Sequence, residues 1–482
     1  MRKHIPTNMS RQYLEPEQKA LEINLDPTIY GSFAEIGAGQ EVARFFFKVG
    51  AAAGTIAKTI SAYDKTVSDH VYGAESGGRY VCESRLYKML DHEYELMIDR
   101  LSSERVNTRF FAFADTVSTT NYHRTTKGHG WMGMRFQLET DGEPNEIALH
   151  VALLDGDASL QQQALGILGV NLLYGCFRYH HDYKLLLQSL MDNLRDRIQI
   201  DMVRLTGAQF EKLDNRLLSL ELLRQGMTQV TMFDKKGRPV HPSEFMYKQN
   251  VLVVRGSFRP VTLVNMDMLQ SATHQFKTEP DIEPGRTQVL VEMTLQNLGA
   301  ETGAVDEQDF LDRAKLMNYL GQMVMLSNCN QYKHLISYLM DYRIAKLGLV
   351  IGARPLLDLV NVKYFEHKNG TLLTAFADIC AQNVRMYVYP AQKEGSGELM
   401  TTRNLPVPDG MRHLYQHMIE QKHIVDMQSF NPEHLHIFSP EVLRLLRNDE
   451  GEWDKFVPAK AAQYIREQFL FGFPCQNIEF EY

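Results

Sequence analysis

The sequence predicts an α/β protein: a largely parallel sheet with helices on both faces, preceded by a smaller α+β region with antiparallel strands and followed by a helical tail. Three observations predict it. From residue 158 onward, apolar strand-like runs alternate with amphipathic helical ones, the pattern of βαβ units whose helices cover a parallel sheet. Between about 105 and 155, three strand-like runs follow one another across short polar turns, which favours antiparallel pairing. Beyond 391–410, a stretch rich in Gly, Pro, Ser and Thr, only helical spacing remains. The expected regions are therefore 1–157, 158–395 and 396–482.

In chain order, FAEIGAG (33–39) reads as a strand end and a glycine turn leading into a helix. RFFAFADTVS, GWMGMRFQLE and EIALHVALLD are the three consecutive strands, with TDGEPN at 140–145 as one of their turns. SLQQQALGILGVNLLYGCFRY and DYKLLLQSLMDNLRD have helical apolar spacing, IQIDMVRLTG is an apolar strand, and QFEKLDNRLLSLELLRQG is a helix with Gly226 at its C-terminal end, the usual left-handed cap. Next come the strands TQVTMFD and NVLVVRG, TQVLVEMTLQNL, the helix DFLDRAKLMNYLG, QMVMLSN, the helix NQYKHLISYLMDYR, KLGLVIG, two further helices and VRMYVYPA. The tail offers MRHLYQHMIEQKH, SPEVLRLLRN and AKAAQYIREQFLF.

Glycines directly after a strand allow close backbone approach, and the N–H groups of the following helix can receive an anion or a cofactor carboxylate. FAEIGAG resembles the first motif of S-adenosylmethionine-dependent methyltransferases, an acidic residue followed by G-x-G at a strand end. The resemblance implies cofactor contacts at Glu35, Gly37 and Gly39 and a ribose contact at Asp64. The chain departs from that pattern at Gln40, where a third glycine is common, and at 54–64, which makes a poor buried strand. An ordinary strand-to-helix turn has the same form.

Geometry supplies a broader expectation. In open α/β sheets, ligands sit outside the carboxyl ends of the strands, where strand order reverses. The residues just after the strands are Thr206 and Gly207, Asp234, then Arg255, Gly256, Ser257 and Arg259, then Ser327 and Asn328, then Gly352 and Arg354. Three guanidinium forks among small and hydroxyl residues suit the paired oxygens of a carboxylate or phosphate. Asp234, Arg255, Ser257, Arg259, Ser327, Asn328 and Arg354, with the 35–39 turn, are accordingly the candidate binding residues for a nucleotide-like or otherwise anionic small molecule. The alternative is that Arg255 and Arg354 pair with structural acids at strand ends.

Other chemistries find incomplete constellations. His413, His417 and Glu420 align on one helix face, as a zinc shell could, but Leu414, Met418 and Ile419 already define the buried side and no HExxH is present, so no metal is expected. His180, His181 and Asp182 fall at a break between two helices. Asp115 in FADT and the Ser-Asn of MLSN resemble haloacid-dehalogenase-like phosphotransferases, yet Val117 stands where that family's acid partner is needed. Neither G-x-S-x-G nor GxxxxGK[ST] occurs. His129 and Trp131, beside Asn121, His123 and Arg124, could line a pocket mouth, although a tryptophan in a strand is more often a core anchor.

Composition sets outer limits. With 482 residues, 44% hydrophobic and 23% charged, the chain is long enough for several ordinary cores. A net charge of −8 without a Lys/Arg run argues against nucleic acid. The N-terminus lacks the apolar core of a signal peptide, and the most apolar window, ALGILGVNLLYGCF at 164–177, contains Asn171 and falls short of the ~20 residues of a membrane helix. Cys82, Cys176, Cys329, Cys380 and Cys475 are odd in number and widely spaced, so a reducing cytoplasm is the expected setting. FFAFADT, HGWMGMRFQ and QQQALGILGVNLLYG are similar to stretches of a set of long, uncharacterised bacterial proteins that carry two conflicting names, TonB-dependent receptor and nicotinate-nucleotide adenylyltransferase. A receptor barrel needs many alternating ~10-residue strands, and the transferase needs a His-x-Gly-His clamp; the chain has neither.

Two function classes follow: a cytoplasmic enzyme or binding protein for an anionic metabolite, whose cofactor the sequence does not identify, or a non-catalytic protein that self-assembles. The 22 Tyr, 24 Phe and 23 Met favour a homo-oligomer insofar as they lie on surfaces.

Overall fold

The computed structural model describes residues 11, 13–299, 305–360, 376, 380, 383–393, 395 and 397–474; Cys475 and most of the segment between 361 and 382 lie outside them. The chain divides into two compact units, 1–228 and 229–482. The boundary therefore lies some seventy residues beyond the expected one, because the strand and helices after 158 complete the first unit.

The first unit runs α1 (Pro16–Asn24), β1 (Ile29–Ile36), α2 (Glu41–Val49), β2 (Ile56–Ile60), α3 (Lys65–Tyr72), α4 (Glu83–Leu101), β3 (Arg109–Ser118), β4 (Gly128–Phe136), β5 (Asn145–Leu153), α5 (Ala158–Arg178), α6 (Tyr183–Leu190), β6 (Ile198–Thr206) and α7 (Asn215–Arg224). Its sheet has the order β2-β1-β3-β4-β5-β6; β2, β1 and β3 are parallel and the remaining neighbours antiparallel. The hairpin run 109–153 is thus as its short turns dictate. The strand 198–206, expected in a parallel sheet, pairs antiparallel with β5 instead. Period-two alternation sorts each strand into two faces. Phe111, Phe113, Met132, Met134, Ile147 and Leu149 meet α1, α2 and α5–α7, whereas Ala112, Ala114, Trp131 and Ala148 meet α4.

Helix α5 is hydrophobic all round because it lies inside this core, as its 14-residue apolar window implied. Asn171 is tolerated there because each polar atom has a partner. Its Nδ2 donates to the carbonyls of Leu190 (3.0 Å) and Asp192 (2.8 Å), and its Oδ1 accepts from the buried Lys19 ammonium at 2.7 Å. Lys19 in turn is held by Asp192 at 2.6 Å. Substituting Asn171→Leu strands these groups in the core, and a loss of about 1–3 kcal/mol is expected. Each unit contains one buried tryptophan, Trp131 and Trp453, so urea unfolding followed at Trp131 in a Trp453→Phe background measures the effect.

The second unit runs β7 (Val230–Phe233), β8 (Pro239–Val240), β9 (Asn250–Arg255), α8 (Leu263–Lys277), β10 (Thr287–Thr294), α9 (Leu295–Gly299), α10 (Glu307–Tyr319), β11 (Met323–Ser327), α11 (Tyr332–Met340), β12 (Lys346–Gly352), α12 (Ala353–Leu359), β13 (Val384–Tyr389), the short pair β14 (Ala391–Gln392) and β15 (Leu399–Met400), α13 (Arg412–Glu420), β16 (Ile424–Asp426), α14 (Ser439–Arg447) and α15 (Ala459–Gln468). Its sheet order is β16-β13-β12-β9-β10-β11-β7-β8. The six strands from β16 to β11 are parallel, and β7 and β8 add an antiparallel edge. The expected parallel sheet is therefore one of two, and mixed at its margin. The helical tail also contributes a strand: IVD at 424–426 is too short to show a period, yet it pairs with β13.

Many methionines, among them Met132, Met134, Met232, Met325 and Met386, are core residues. Cys82, Cys176, Cys329 and Cys380 are free thiols. No helix among the described residues is long and apolar enough to cross a membrane.

Candidate functional site

In the second unit β9 is followed by β10 and β11 on one side, after which the chain crosses to β12, β13 and β16 on the other. Strand order reverses between β9 and β12. In open sheets of this kind, ligands are held at the carboxyl ends of the strands on either side of such a reversal. The loop after β9 contains Gly256, Ser257 and Thr262; the residues after β12 are Gly352 and Arg354. Thr262 caps α8 in a reciprocal box with Asn265, the Asn265 Oδ1 accepting from the Thr262 N–H at 3.0 Å.

The three arginines have separate surroundings. Arg255 and Glu292 are register partners on β9 and β10, and they form a two-pronged ion pair with both contacts at 2.8 Å. Glu292 is fully buried and also accepts from Ser327 Oγ at 2.6 Å, while Arg255 donates to the carbonyls of Cys329 and Asn330 and stacks on Tyr332. Burial, the largest single effect, pulls the Arg255 pKa down, but the Glu292 charge and its hydrogen bonds, with smaller contributions from Tyr332 and Cys329, together outweigh it and the net displacement is upward. Arg259 donates to Asp309 on α10 at 2.5 Å, and the buried Arg313 reaches the same carboxylate. Arg313 also donates to the Ser257 carbonyl at 3.1 Å. Both arginines thus join the loop after β9 to α10, and Arg313 also donates to the Asn297 carbonyl in α9. Arg354 stands on the β12 side, donating to the Gln392 carbonyl at 3.0 Å with its guanidinium over the Phe438 ring.

Asn328 donates its backbone N–H to Gln229, and Asp234 organises the β7–β8 turn by accepting from the Lys236 and Arg238 N–H groups and the Arg238 side chain. These hydrogen bonds and the Arg238 charge hold the Asp234 carboxyl below its usual range against the opposing effect of burial. Thr206 and Gly207 belong to the first unit; Gly207 has φ 125° against Asn145. His413, His417 and Glu420 lie on the exposed face of α13. A groove of 810 Å³ beside that helix, lined by Thr402, Arg403, Tyr415 and Glu420 among others, sits at the β16 margin of the sheet rather than at the reversal.

The 33–39 turn in the first unit has the strand-turn-helix form the sequence implies. Gly37 (φ 102°) and Gly39 (φ 80°) occupy the left-handed region, and a Cβ on Gly37 would lie 1.9 Å from the Val117 carbonyl. The N-terminus of α2 receives an anion from within: Glu35 Oε2 and Oε1 accept from the N–H groups of Val42 (2.9 Å) and Ala43 (3.0 Å). Asp115, the register partner of Glu35 on β3, accepts from the Ile36 N–H at 3.2 Å. Both carboxyls are buried, and burial first, with the neighbouring negative charge second for Asp115, pushes them up, Glu35 to about 7. Asp64 caps α3 through the Val67 N–H. His180 and His181 stack edge to face, and Asp182 caps α6.

Trp131 is buried, as a core anchor would be, and it packs edge-on against His150 at 5.0 Å. His129 is half-buried and its Nδ1 lies 3.2 Å from His150 Nε2; His150 Nδ1 lies 2.7 Å from Asp201 Oδ1. Sequence reading missed His150 and Asp201. Their signal was a slip in alternation: in IQIDMVRLT, Ile198 and Ile200 share the α5 face with Val203 and Leu205, so one extra residue lies between.

No protein-family model matches the chain, and no curated protein does. Among solved structures, part of the chain is similar to the competence/damage inducible protein CihA from Agrobacterium tumefaciens, with 16% identity over 34% of this chain and 97% of that one and a TM-score of 0.25. Others are a competence-damaged protein (CinA) superfamily member from Enterobacter cloacae, at 10% identity over 37% and 99% with a TM-score of 0.26, and competence damage-inducible protein A (ComA) from Klebsiella pneumoniae subsp. pneumoniae, at 11% over 35% and 96% with 0.27.

Proposed function

We propose that the second unit binds an anionic small molecule of nucleotide-like build at the carboxyl ends of β9 and β12. The reversal of strand order between those strands is the observation that carries this reading, because it is what separates two βα loops and leaves room for a ligand above the sheet. Arg354 supplies a positive fork on the β12 side. Arg255 and Arg259 act differently in this reading. Their carboxylate partners Glu292 and Asp309 make them braces of the loop rather than ligand groups.

The test is a thermal-shift series with ATP, NAD, S-adenosylmethionine and sugar phosphates, read at Trp453 in a Trp131→Phe background. A ligand at a hundred times its Kd stabilises the native state by about 2.7 kcal/mol. At least one anionic ligand is expected to raise the midpoint. Arg354→Ala is expected to weaken that ligand roughly tenfold or more, the loss of one hydrogen bond to a charged group. Absence of any shift across the series, or an unaltered affinity in Arg354→Ala, overturns the reading.

A further inference from the structure

The α4 face of the first unit's sheet carries an arrangement that the binding reading does not use. On β4, Gly128, Gly130, Met132 and Met134 alternate with His129, Trp131, Gly133 and Arg135, so His129 and Trp131 share the face away from α5. His150 on β5 is the cross-strand partner of Trp131. On β6, Ile200 pairs with Val151 and Met202 with His150, leaving Asp201 as the extra residue of a β-bulge. Bulges re-aim side chains, and this one turns Asp201 onto the His150 ring at 2.7 Å.

The directions of the hydrogen bonds follow. An ionised carboxylate only accepts, so His150 donates from Nδ1 and its Nε2 holds a lone pair. The atom facing that lone pair at 3.2 Å, His129 Nδ1, is therefore the donor. What remains on His129 is Nε2 with its lone pair. Burial first, and the neighbouring His150 second, pull the His129 pKa down to about 4, so the ring is neutral near pH 7 and its Nε2 keeps the lone pair. Ser118, the exposed last residue of β3, is the cross-strand partner of His129. Such partners have Cβ atoms about 4.5–5.5 Å apart on one face.

We propose that this row is a serine esterase site: Ser118 is the nucleophile, His129 its base, and His150 with Asp201 the positioning pair behind the base, acting on carboxylic esters. Ser118 Oγ attacks the ester carbonyl carbon while its proton passes to His129 Nε2, and the carbonyl electron pair moves onto oxygen. Collapse expels the alkoxide, which takes the proton from Nε2 and leaves an acyl-serine. Water attacks the acyl carbon with its proton going to the same Nε2, and that proton returns to Ser118 as the acid departs. His150 and Asp201 orient the ring and spread the positive charge it gains.

The experiment uses the full chain with a fluorophosphonate, whose phosphorus forms a bond to serine oxygen with loss of fluoride, and peptide mass spectrometry to locate the adduct. Labelling of Ser118 is expected, with none in Ser118→Ala, an exposed position where folding is not at stake. His129→Gln is expected to slow labelling by at least about a hundredfold. With p-nitrophenyl acetate, Asp201→Asn is expected to lower kcat while KM and the Trp131 unfolding curve stay in place, a split that a merely structural residue would not produce. An adduct elsewhere only, or equal labelling rates in wild type and His129→Gln, overturns the site. Unchanged kcat in Asp201→Asn overturns the role of the bulge.

Discussion

Glu292→Ala lowers the unfolding free energy of the second unit by roughly 3–5 kcal/mol, the range for breaking a buried ion pair from one side. The carboxylate is wholly buried at the end of β10 and receives two donors from Arg255 and one from Ser327, so it ties together the ends of three adjacent strands. Its removal leaves a guanidinium that is only 12% exposed without its counter-charge, with two backbone carbonyls and a tyrosine ring as its remaining neighbours. The double change Arg255→Met with Glu292→Leu removes both charges and is expected to regain more than half of the loss, because it replaces a stranded charge by apolar volume. Denaturation followed at Trp453 in a Trp131→Phe background reads both. A cost below about 1 kcal/mol for Glu292→Ala would place the pair among exposed bridges and remove its bracing role.

The first unit is expected to lose stability as pH rises from about 4.5 to about 7. Glu35 titrates near 7 when folded against 4.5 when unfolded, since burial and its neighbours disfavour the charge. Between those two values the native state binds more protons than the unfolded chain, so each step up in pH favours unfolding. The full window corresponds to about 3 kcal/mol, at 1.36 kcal/mol for each pH unit of displacement. Asp115 is displaced in the same direction by burial and by the Glu35 charge, so the two carboxyls reinforce one another. Glu35→Gln removes the titrating group and should flatten the profile measured at Trp131, while giving up one of the two N–H acceptors at the start of α2. A slope that survives in Glu35→Gln would assign the effect to other groups.

These two carboxylates show where reading along the chain stops. Glu35 was legible as the acidic member of an acid-glycine motif, and the glycines do form the turn their spacing implies. The occupant of the helix N-terminus was not legible. Glu35 fills it from within, and only the fold of 35–43 onto itself shows that. Arg255 likewise was legible as a strand-end cation, with pairing to a structural acid as one alternative. The identity of that acid required the register of β9 against β10, which sets Glu292, 37 residues away, beside it. His129 was visible beside Trp131, but its partners His150 and Asp201 lie 21 and 51 residues further along successive links and come together through strand pairing alone.

By itself the sequence determined the class of protein and most of the elements: apolar period two and period 3.6 are local properties, and they place the hairpin strands 109–153, the buried helix 158–178 and the strands of the second sheet. The tertiary structure alone decided partnership. IQIDMVRLT could have joined either sheet; it became the antiparallel edge of the first because beside β5 its Ile198, Ile200, Val203 and Leu205 are buried in that unit's core. Burial and pairing are sums over residues distant in the chain, and no local period encodes which distant residue supplies the other half.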